Sequence, residues 1–346
     1  MEKISNLKIE NFRSHEFYDI SFHNKVTIIT GNNGIGKTSI LEAIYIMLRG
    51  KSFKGVDSDI IKRQKEYYSI KLSFSNGLFR TCQSRRINGK AKKKFVIEDK
   101  TSMLLGNKNK LPIILFEPDD LNLISGSPSR RRAFIDNFIS SYDLDYEDAL
   151  KRYEKALKQR NAILKQEVIK EDDLFVWNVA LSRYGSVIIA KRDDFLREIN
   201  LKLTNEYRHI AKNKDVIVLD YKCTIDIKKE NIAQLLINSY QKDRILGHTS
   251  VGPHLDDFDV YLNSKKAVNS ASRGENRSII LALKSIESDI IYQKTRKRPL
   301  ILLDDVFSEL DELRQKQLLN IFKDCQIVLT SVNGINIDNS LEYHLK

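Results

Sequence analysis

The residues with the clearest chemical purpose form one octet, Gly31-Asn32-Asn33-Gly34-Ile35-Gly36-Lys37-Thr38, with Ser39 directly after it. Its spacing is G-x-x-x-x-G-K-[ST]. Glycines without side chains let successive backbone N–H groups wrap phosphate oxygens, with Ser39 in the first turn of the helix that follows. Lys37 is placed to meet the β- and γ-phosphates of a nucleotide, and Thr38 to meet Mg²⁺. A plain glycine-rich turn with an exposed lysine has the same letters, so the flanking elements decide between the two.

A nucleotide and its metal need a second, acidic group. Leu300-Ile301-Leu302-Leu303-Asp304-Asp305 supplies two carboxylates at the end of an apolar run. Asp304 is expected to hold Mg²⁺, directly or through water, and Asp305 to orient or deprotonate the attacking water. Most of the chain separates these acids from the octet, a spacing that suits ATPases with large insertions better than small-molecule kinases. A third group, Ser272-Arg273-Gly274-Glu275, precedes a helical series of Ile279, Ile280, Leu283, Ile286 and Ile290. Ser272 followed by Glu275 is a capping box, which needs no role beyond starting a helix. The same serine, the Gly274 amide and an unopposed helix N-terminus also make an anion cradle, suited to a γ-phosphate presented by another subunit.

The elements that must position these groups alternate in type. Apolar and polar side chains alternate through Ile4, Leu7 and Ile9 and again through Phe17, Ile20 and Phe22, and the run Val26 to Thr30 reads as a buried strand. From Thr38 to about Arg49, Leu41, Ile44, Tyr45 and Leu48 recur at helical steps. Strand, glycine loop, helix is the order a phosphate cradle requires. Strands return between Ile70 and Ile97, with Asn88-Gly89 as a tight hairpin turn, and a short one runs from Ile113 to Phe116. From about Tyr146 to Leu203 the pattern is helical and charged, with Leu150, Leu157 and Leu164 in one series and Trp177, Leu181, Tyr184, Ile188 and Phe195 in another. Glu171-Asp172-Asp173 reads as the turn between them, giving an antiparallel helical hairpin. Strands near Val216–Tyr221, Asp257–Leu262, Leu300–Leu303 and Ile327–Thr330 complete the chain. The expected fold class is α/β: a P-loop ATPase head built from residues 1–140 and 205–346, with an antiparallel β part and an inserted α-helical arm or lid lobe at about 141–204.

Composition narrows the partners. Among 346 residues, 41% hydrophobic and 30% charged argue against extensive disorder. The 58 Lys and Arg against 46 Asp and Glu leave +12, which favours nucleic acid, with an anionic membrane surface as the rival polyanion. No apolar run approaches the roughly 20 residues of a bilayer span, and the opening MEKISNLKIENF lacks a secretory pattern. Cys82, Cys223 and Cys325 have no metal-ligand spacing and suit reduced thiols, so a cytoplasmic location is expected, with no membrane partner. Two basic clusters are candidates for DNA. Arg130, Arg131 and Arg132 sit at a helix start capped by Ser127, with Pro128 in its first turn, where cations oppose the helix dipole unless an anion binds. Arg85, Arg86, Lys90, Lys92, Lys93 and Lys94 lie on the hairpin, where alternate residues form a row for a phosphate backbone. A solvated face explains either cluster equally well. Lys294 to Arg298 reads as a surface loop. With no reading helix in view, DNA contacts are expected to be to the backbone, not sequence-specific, and salt-sensitive.

Several further stretches, with those above, make the chain resemble the RecF family of ABC and structural-maintenance-of-chromosomes (SMC) ATPases over essentially its whole length. They are Lys8-Ile9-Glu10-Asn11-Phe12-Arg13-Ser14, Gly50-Lys51-Ser52-Phe53, Phe116-Glu117-Pro118-Asp119-Asp120-Leu121, Gly126-Ser127-Pro128-Ser129-Arg130-Arg131-Arg132, Thr249-Ser250-Val251-Gly252-Pro253-His254 and Asp304-Asp305-Val306-Phe307-Ser308-Glu309-Leu310-Asp311. The resemblance implies an ABC/SMC-type head with an inserted lobe and an ATP-driven homodimer. Each of two composite sites would pair Lys37, Thr38, Asp304 and Asp305 of one subunit with Ser272 and Gly274 of the other, with Arg13 near the nucleotide. It also implies weak DNA-dependent ATP hydrolysis and binding to DNA, single-stranded DNA included. The expected setting is DNA repair, recombination, replication and the SOS response to DNA damage, acting with RecO and RecR to bring RecA to gaps. Two positions depart from the family pattern: Glu275 stands where Gln is usual, and Leu255 where Arg is usual. A transporter ATPase would predict a Gly-Gly signature and a membrane partner, and a metabolic kinase would leave the Ser272 group and the helical lobe unexplained.

Overall fold

In a computed structural model that describes residues 3–55, 59–87, 90–169, 171–227 and 230–345, the chain divides into two units, Met1–Asp120 with Glu287–Lys346, and Leu121–Ile286. The first unit contains two sheets. β1 (Ile4–Phe12), β2 (His15–Ser21), β4 (Tyr67–Phe74), β5 (Phe79–Ile87), β6 (Lys90–Ile97) and β7 (Lys100–Ser102) form an antiparallel one in the order β2-β1-β4-β5-β6-β7. β3 (Val26–Thr30), β8 (Ile113–Phe116), β12 (Leu300–Leu303), β13 (Gln326–Ser331) and β14 (Ser340–His344) form a parallel one in the order β14-β3-β13-β12-β8.

The two kinds of sheet have different sequence patterns for a physical reason. β1 alternates because Leu7 and Ile9 turn inward while Lys8 and Glu10 face out. β3, β12 and β13 are buried at every position, so they lack the alternation of buried and exposed residues seen in β1. Helix α1 (Lys37–Arg49) joins the sheets in one core, packing Ile44 and Met47 with Leu7 and Ile70 of the first and Leu302 and Val328 of the second. Gly50 closes α1 in the left-handed region at φ 81°, its N–H returning to the Ile46 carbonyl. The Asn88-Gly89 turn lies outside the described residues; the strands on either side pair Arg86 with Ala91 and Ile87 with Lys90.

The second unit holds α2 (Pro128–Tyr142), α3 (Leu144–Ile163), α4 (Glu171–Ala211), α5 (Ile232–Asn238) and α6 (Tyr240–Leu246). With them are a small sheet of β9 (Ile217–Lys222), β10 (Asp257–Leu262) and β11 (Lys265–Lys266), the short α7 (Ala267–Ser270), and the start of α8 (Arg273–Thr295). The 141–204 stretch expected as the helical lobe falls within this unit, which also takes in α2 and the small sheet. Glu171, Asp172 and Asp173 are not the turn of the helical hairpin but the first residues of α4; the preceding helix ends at its cap residue Leu164. Carboxylates at a helix N-terminus complement its dipole, so the same acidic triplet suits a helix start better than a loop.

Two buried arginines fasten this unit. Arg160 of α3 is fully buried and donates to Asp243 Oδ2 at 2.7 Å, Asn178 Oδ1 at 2.8 Å and Thr249 Oγ1 at 2.8 Å. Arg192 of α4 forks onto Asp136 at 2.9 and 3.0 Å and donates to the Pro253 carbonyl at 2.7 Å. Truncating one partner of a buried pair strands the other charge. Arg160→Ala is therefore expected to lower unfolding free energy by about 3–5 kcal/mol, read by urea denaturation.

Candidate nucleotide site

The phosphate loop leaves the buried strand β3 and enters α1 through three glycines with positive φ: Gly31 at 150°, Gly34 at 82° and Gly36 at 104°. Gly36 is fixed twice over. Besides its backbone angle, a Cβ there would come within 2.3 Å of His15 Nε2 and 2.6 Å of Ser14 Oγ. His15 Nε2 lies 3.0 Å from the Gly36 carbonyl and so must carry the proton it donates. The buried Lys37 ammonium bends back over the loop, donating to Gly31 O at 2.9 Å and Asn32 O at 3.3 Å.

The two acids expected from the sequence meet this loop. Thr38 Oγ1 donates to Asp304 Oδ1 at 2.8 Å, across 266 positions of sequence. Thr330, at the end of β13, donates to the same Asp304 oxygen at 3.0 Å and accepts the Asp305 N–H at 2.9 Å. Lys54 Nζ stands 3.8 Å from the other Asp304 oxygen, and Lys37 Nζ stands 3.9 Å from Asp305 Oδ1. That Asp305 oxygen is buried with no hydrogen-bond partner among the described residues. Burial pushes the Asp305 carboxyl above its ordinary value, aided by the neighbouring Asp304 charge and opposed by Lys37 and Lys54.

The arrangement fits a small hard cation and its phosphates. Among the described residues no three His, Cys, Asp or Glu converge. A hydroxyl and a carboxylate side by side are instead the donor set of an ion, such as Mg²⁺, that takes its remaining oxygens from phosphate and water.

Arg13, expected near the nucleotide, is engaged inside the protein. At φ 54° its guanidinium forks onto Glu42 of α1 at 2.6 and 2.8 Å and reaches the Asp59 carbonyl at 2.9 Å. Ser52 Oγ closes on the same carboxylate, so the Lys8–Ser14 and Gly50–Phe53 stretches meet at Glu42, a residue the sequence reading passed over. In the second unit Ser272 and Glu275 form the capping box in full: Glu275 N–H donates to Ser272 Oγ at 3.2 Å, and Ser272 N–H to Glu275 Oε2 at 2.7 Å. Gly274 lies in the first turn, its carbonyl accepting Ser278 Oγ–H at 3.1 Å.

The chain matches known proteins over nearly its whole length. The RecF/RecN/SMC N terminal domain family matches residues 3–340. The DNA replication and repair protein RecF of Ruminiclostridium cellulolyticum is 35% identical over 98% of this chain and 95% of its own length. Its counterpart in Clostridium acetobutylicum is 36% identical over the same shares. The chain belongs to the RecF family. A solved RecF structure, described as the recombination mediator RecF-ATPrS in the RecFOR pathway, superposes with a TM-score of 0.86 at 27% identity, covering 100% of this chain and 97% of that one.

Both departures from the RecF pattern have a local account. The Glu275 side chain turns back onto the Ser272 amide, a bond that the amide oxygen of Gln would make equally well. Beyond Leu255, Asp256 is met by Tyr221 Oη at 2.6 Å and Thr224 Oγ1 at 3.0 Å, and Asp257 by Arg131. Neither acid is left without a donor.

The basic candidates divide. Arg131 forks onto Asp257 with two 2.7 Å bonds and reaches the Gly126 carbonyl at 2.6 Å, while Arg132 donates to the Asp256 carbonyl at 2.8 Å. Arg130, half-buried, starts the same helix and its N–H meets the Ser127 cap. Arg131 and Arg132 answer acids and carbonyls of their own unit, which explains why a helix start tolerates them. On the hairpin, the register pairs Arg85 with Lys92 and Gln83 with Lys94, which sets Arg85, Lys92 and Lys94 on one exposed face. Arg86 pairs with Ala91 and belongs to the opposite face.

A buried histidine, His15, and a half-buried one, His254, make stability pH-dependent. Burial lowers the His15 pKa below 6.5, and burial together with Arg132 lowers that of His254, whose ring bridges Tyr153 Oη at 2.7 Å and Thr249 O at 3.0 Å. Below the ordinary value the unfolded chain takes up protons that the folded chain refuses, so stability falls as pH drops through that window. Urea midpoints at about pH 7.5 and about pH 5.5 should differ, and His254→Asn should shrink the difference.

Proposed function

We propose that this RecF-family chain is an ATP-dependent DNA-binding protein of recombinational repair and replication-fork maintenance, closing as a homodimer over nucleotide and reopening on slow hydrolysis. The carrying observation is the convergence of Lys37, Thr38, Asp304, Thr330 and Asp305 from three distant stretches on one phosphate loop. Residues Gly31 to Ser39 cradle the phosphates, and Lys37 sets its charge against them. Thr38 and Asp304 hold Mg²⁺, which when bound neutralises charge developing on the phosphoryl group. Asp305 orients the attacking water and receives its proton. Arg13 acts indirectly, by holding α1 through Glu42.

Ser272 and Gly274 of a second copy complete each site, since their capped helix start can meet the γ-phosphate. The head is formed by residues 1–140 and 205–346, and the helical arm by about 141–204. DNA contact falls to the exposed row Arg85, Lys92 and Lys94 rather than to Arg86, Arg131 and Arg132, and is made to the backbone. The chain works in the cytoplasm with RecO and RecR, assisting RecA loading at gaps, and its ATPase activity is weak and DNA-dependent. Among the described residues no helix is long and apolar enough to cross a membrane.

The test is to measure DNA affinity and the monomer–dimer equilibrium with ATP, with ADP and without nucleotide. ATP should raise both. If neither quantity responds to it, the clamp reading fails. Ser272→Arg is expected to leave ATP binding by single copies within about threefold of wild type while weakening ATP-driven dimerisation at least tenfold, because a bulky cation fills the cradle. Calorimetry and light scattering separate the two effects, and undiminished dimerisation would reduce Ser272 to a helix cap.

A further inference from the structure

A cavity of about 440 Å³ lies at the edge of the parallel sheet opposite the phosphate loop, where β12 and β13 begin at Leu300 and Gln326. Its floor is apolar, formed by Ile4, Leu48, Phe74 and Leu111. The buried amide that lines it, Gln326, commits its oxygen to Ile4 N and its nitrogen to the Ile4 and His23 carbonyls. With that amide committed, the floor suits a bulky apolar side chain as anchor.

One wall of the mouth is cationic. α8 ends at Thr295, and Arg296 with φ 57° turns the chain so that Arg296, Lys297 and Arg298 line the opening. Arg298 lies over the Tyr292 ring at 4.1 Å and is 3.6 Å from Asp324. Arg296 and Lys297 are exposed, and among the described residues neither has a carboxylate partner. The occupant therefore carries a bulky apolar group next to carboxylates.

The chain itself displays such a segment. At the start of α4, Phe175 and Val176 are each 62% exposed and Val179 is 47% exposed, an apolar stripe at helical spacing. Asp172 and Asp173 directly precede it, exposed and unpaired with any cation among the described residues. An apolar stripe of this kind on a helix face marks an interaction surface.

We infer that a second copy of this chain seats the Asp172–Val179 face of α4 in the cavity, with Phe175 as anchor and the two aspartates against Arg296 and Lys297. Knob and hole are different surfaces of the chain, so each copy offers one of each to its neighbours. The contact is small, and the net +12 of each copy opposes it, so it is weak and strengthens at low salt. It needs no nucleotide, which separates it from the ATP-driven dimer.

The test is sedimentation velocity of the full chain without nucleotide, at low salt and up to ~100 µM, the range for weak transient contacts. Wild type should associate with concentration. Asp172→Lys with Asp173→Lys, or Arg296→Glu with Lys297→Glu, should each weaken association at least tenfold, while an equal mixture of the two variants should restore it. Melting curves of the surface variants should match wild type. The inference is overturned if wild type stays single throughout, leaving the cavity to an acidic segment of another protein. It is also overturned if association ignores both charge reversals, or if the mixture fails to recover it. Lys37→Ala should associate like wild type here, whatever becomes of the clamp reading.

Discussion

Lys37→Ala is expected to abolish measurable ATP binding, raising the dissociation constant by at least ~100-fold, since hydrogen bonds from a charged donor contribute about 1.5–3 kcal/mol each. The ammonium has two tasks in the structure. It carries the positive charge nearest the loop, and it ties the Gly31 and Asn32 carbonyls together at 2.9 and 3.3 Å. Alanine removes both the charge and the tie. It also leaves Asp305 without the cation 3.9 Å away that opposes the rise in its pKa. Lys37→Arg should fail as well, because a planar guanidinium does not reproduce the bonds the compact ammonium makes at this buried position. Isothermal titration calorimetry with Mg²⁺-ATP reads the loss, with a thermal melt to show that the fold persists. Affinity within threefold of wild type would remove the loop from the nucleotide site.

Asp305→Asn is expected to slow turnover by about 10²–10⁴-fold, the usual range for losing a positioned base, while ATP-bound dimers accumulate. The substitution is close to silent structurally. Asp305 sits in the left-handed region at φ 52°, which Asn tolerates as readily as Asp, and its N–H bond to Thr330 belongs to the backbone. What changes is the buried oxygen without a hydrogen-bond partner among the described residues, and the charge it carries. Because burial raises this carboxyl's pKa, wild-type turnover should decline on acidification sooner than an ordinary carboxylate would dictate, and the Asn variant should lack that limb. Phosphate release and size-exclusion chromatography check the two halves of the expectation. Rapid hydrolysis by the Asn protein would sink the role given to Asp305.

Legibility in the sequence followed how local each signal is. The octet and the Leu300–Asp305 run announce themselves because phosphate binding and burial on both sheet faces impose strict letters on neighbouring residues. Thr330 carried no such mark. Its role depends on the register that sets β13 beside β12, and a threonine ending a strand is ordinary until that register is known. His15 and Glu42 escaped for the same reason, each meaningful through a partner far along the chain. β14 was missed because a strand pairing on one side keeps a mixed pattern, Ser-Leu-Glu-Tyr-His, instead of an apolar run. The arginine triplet shows the reverse error. Its charge was plain, but the carboxylate and carbonyls that absorb Arg131 lie in other elements. The hairpin row was half readable, since alternation separates Arg86 from Arg85 but only pairing sets Lys92 and Lys94 on the face of Arg85.

The strand order carries a consequence for the protein's birth on the ribosome. β3, which launches the phosphate loop, is finished by Thr30, yet its two neighbours are β13 and β14, at Gln326–Ser331 and Ser340–His344. Until then the nascent polypeptide therefore holds a strand destined for complete burial whose eventual mates have not been made. Pairings this distant form slowly and leave such strands exposed to wrong ones. A ribosome stalled before codon 326 would present a chain containing every letter of the octet and no nucleotide grip, and its first third would be a natural client for a holding chaperone.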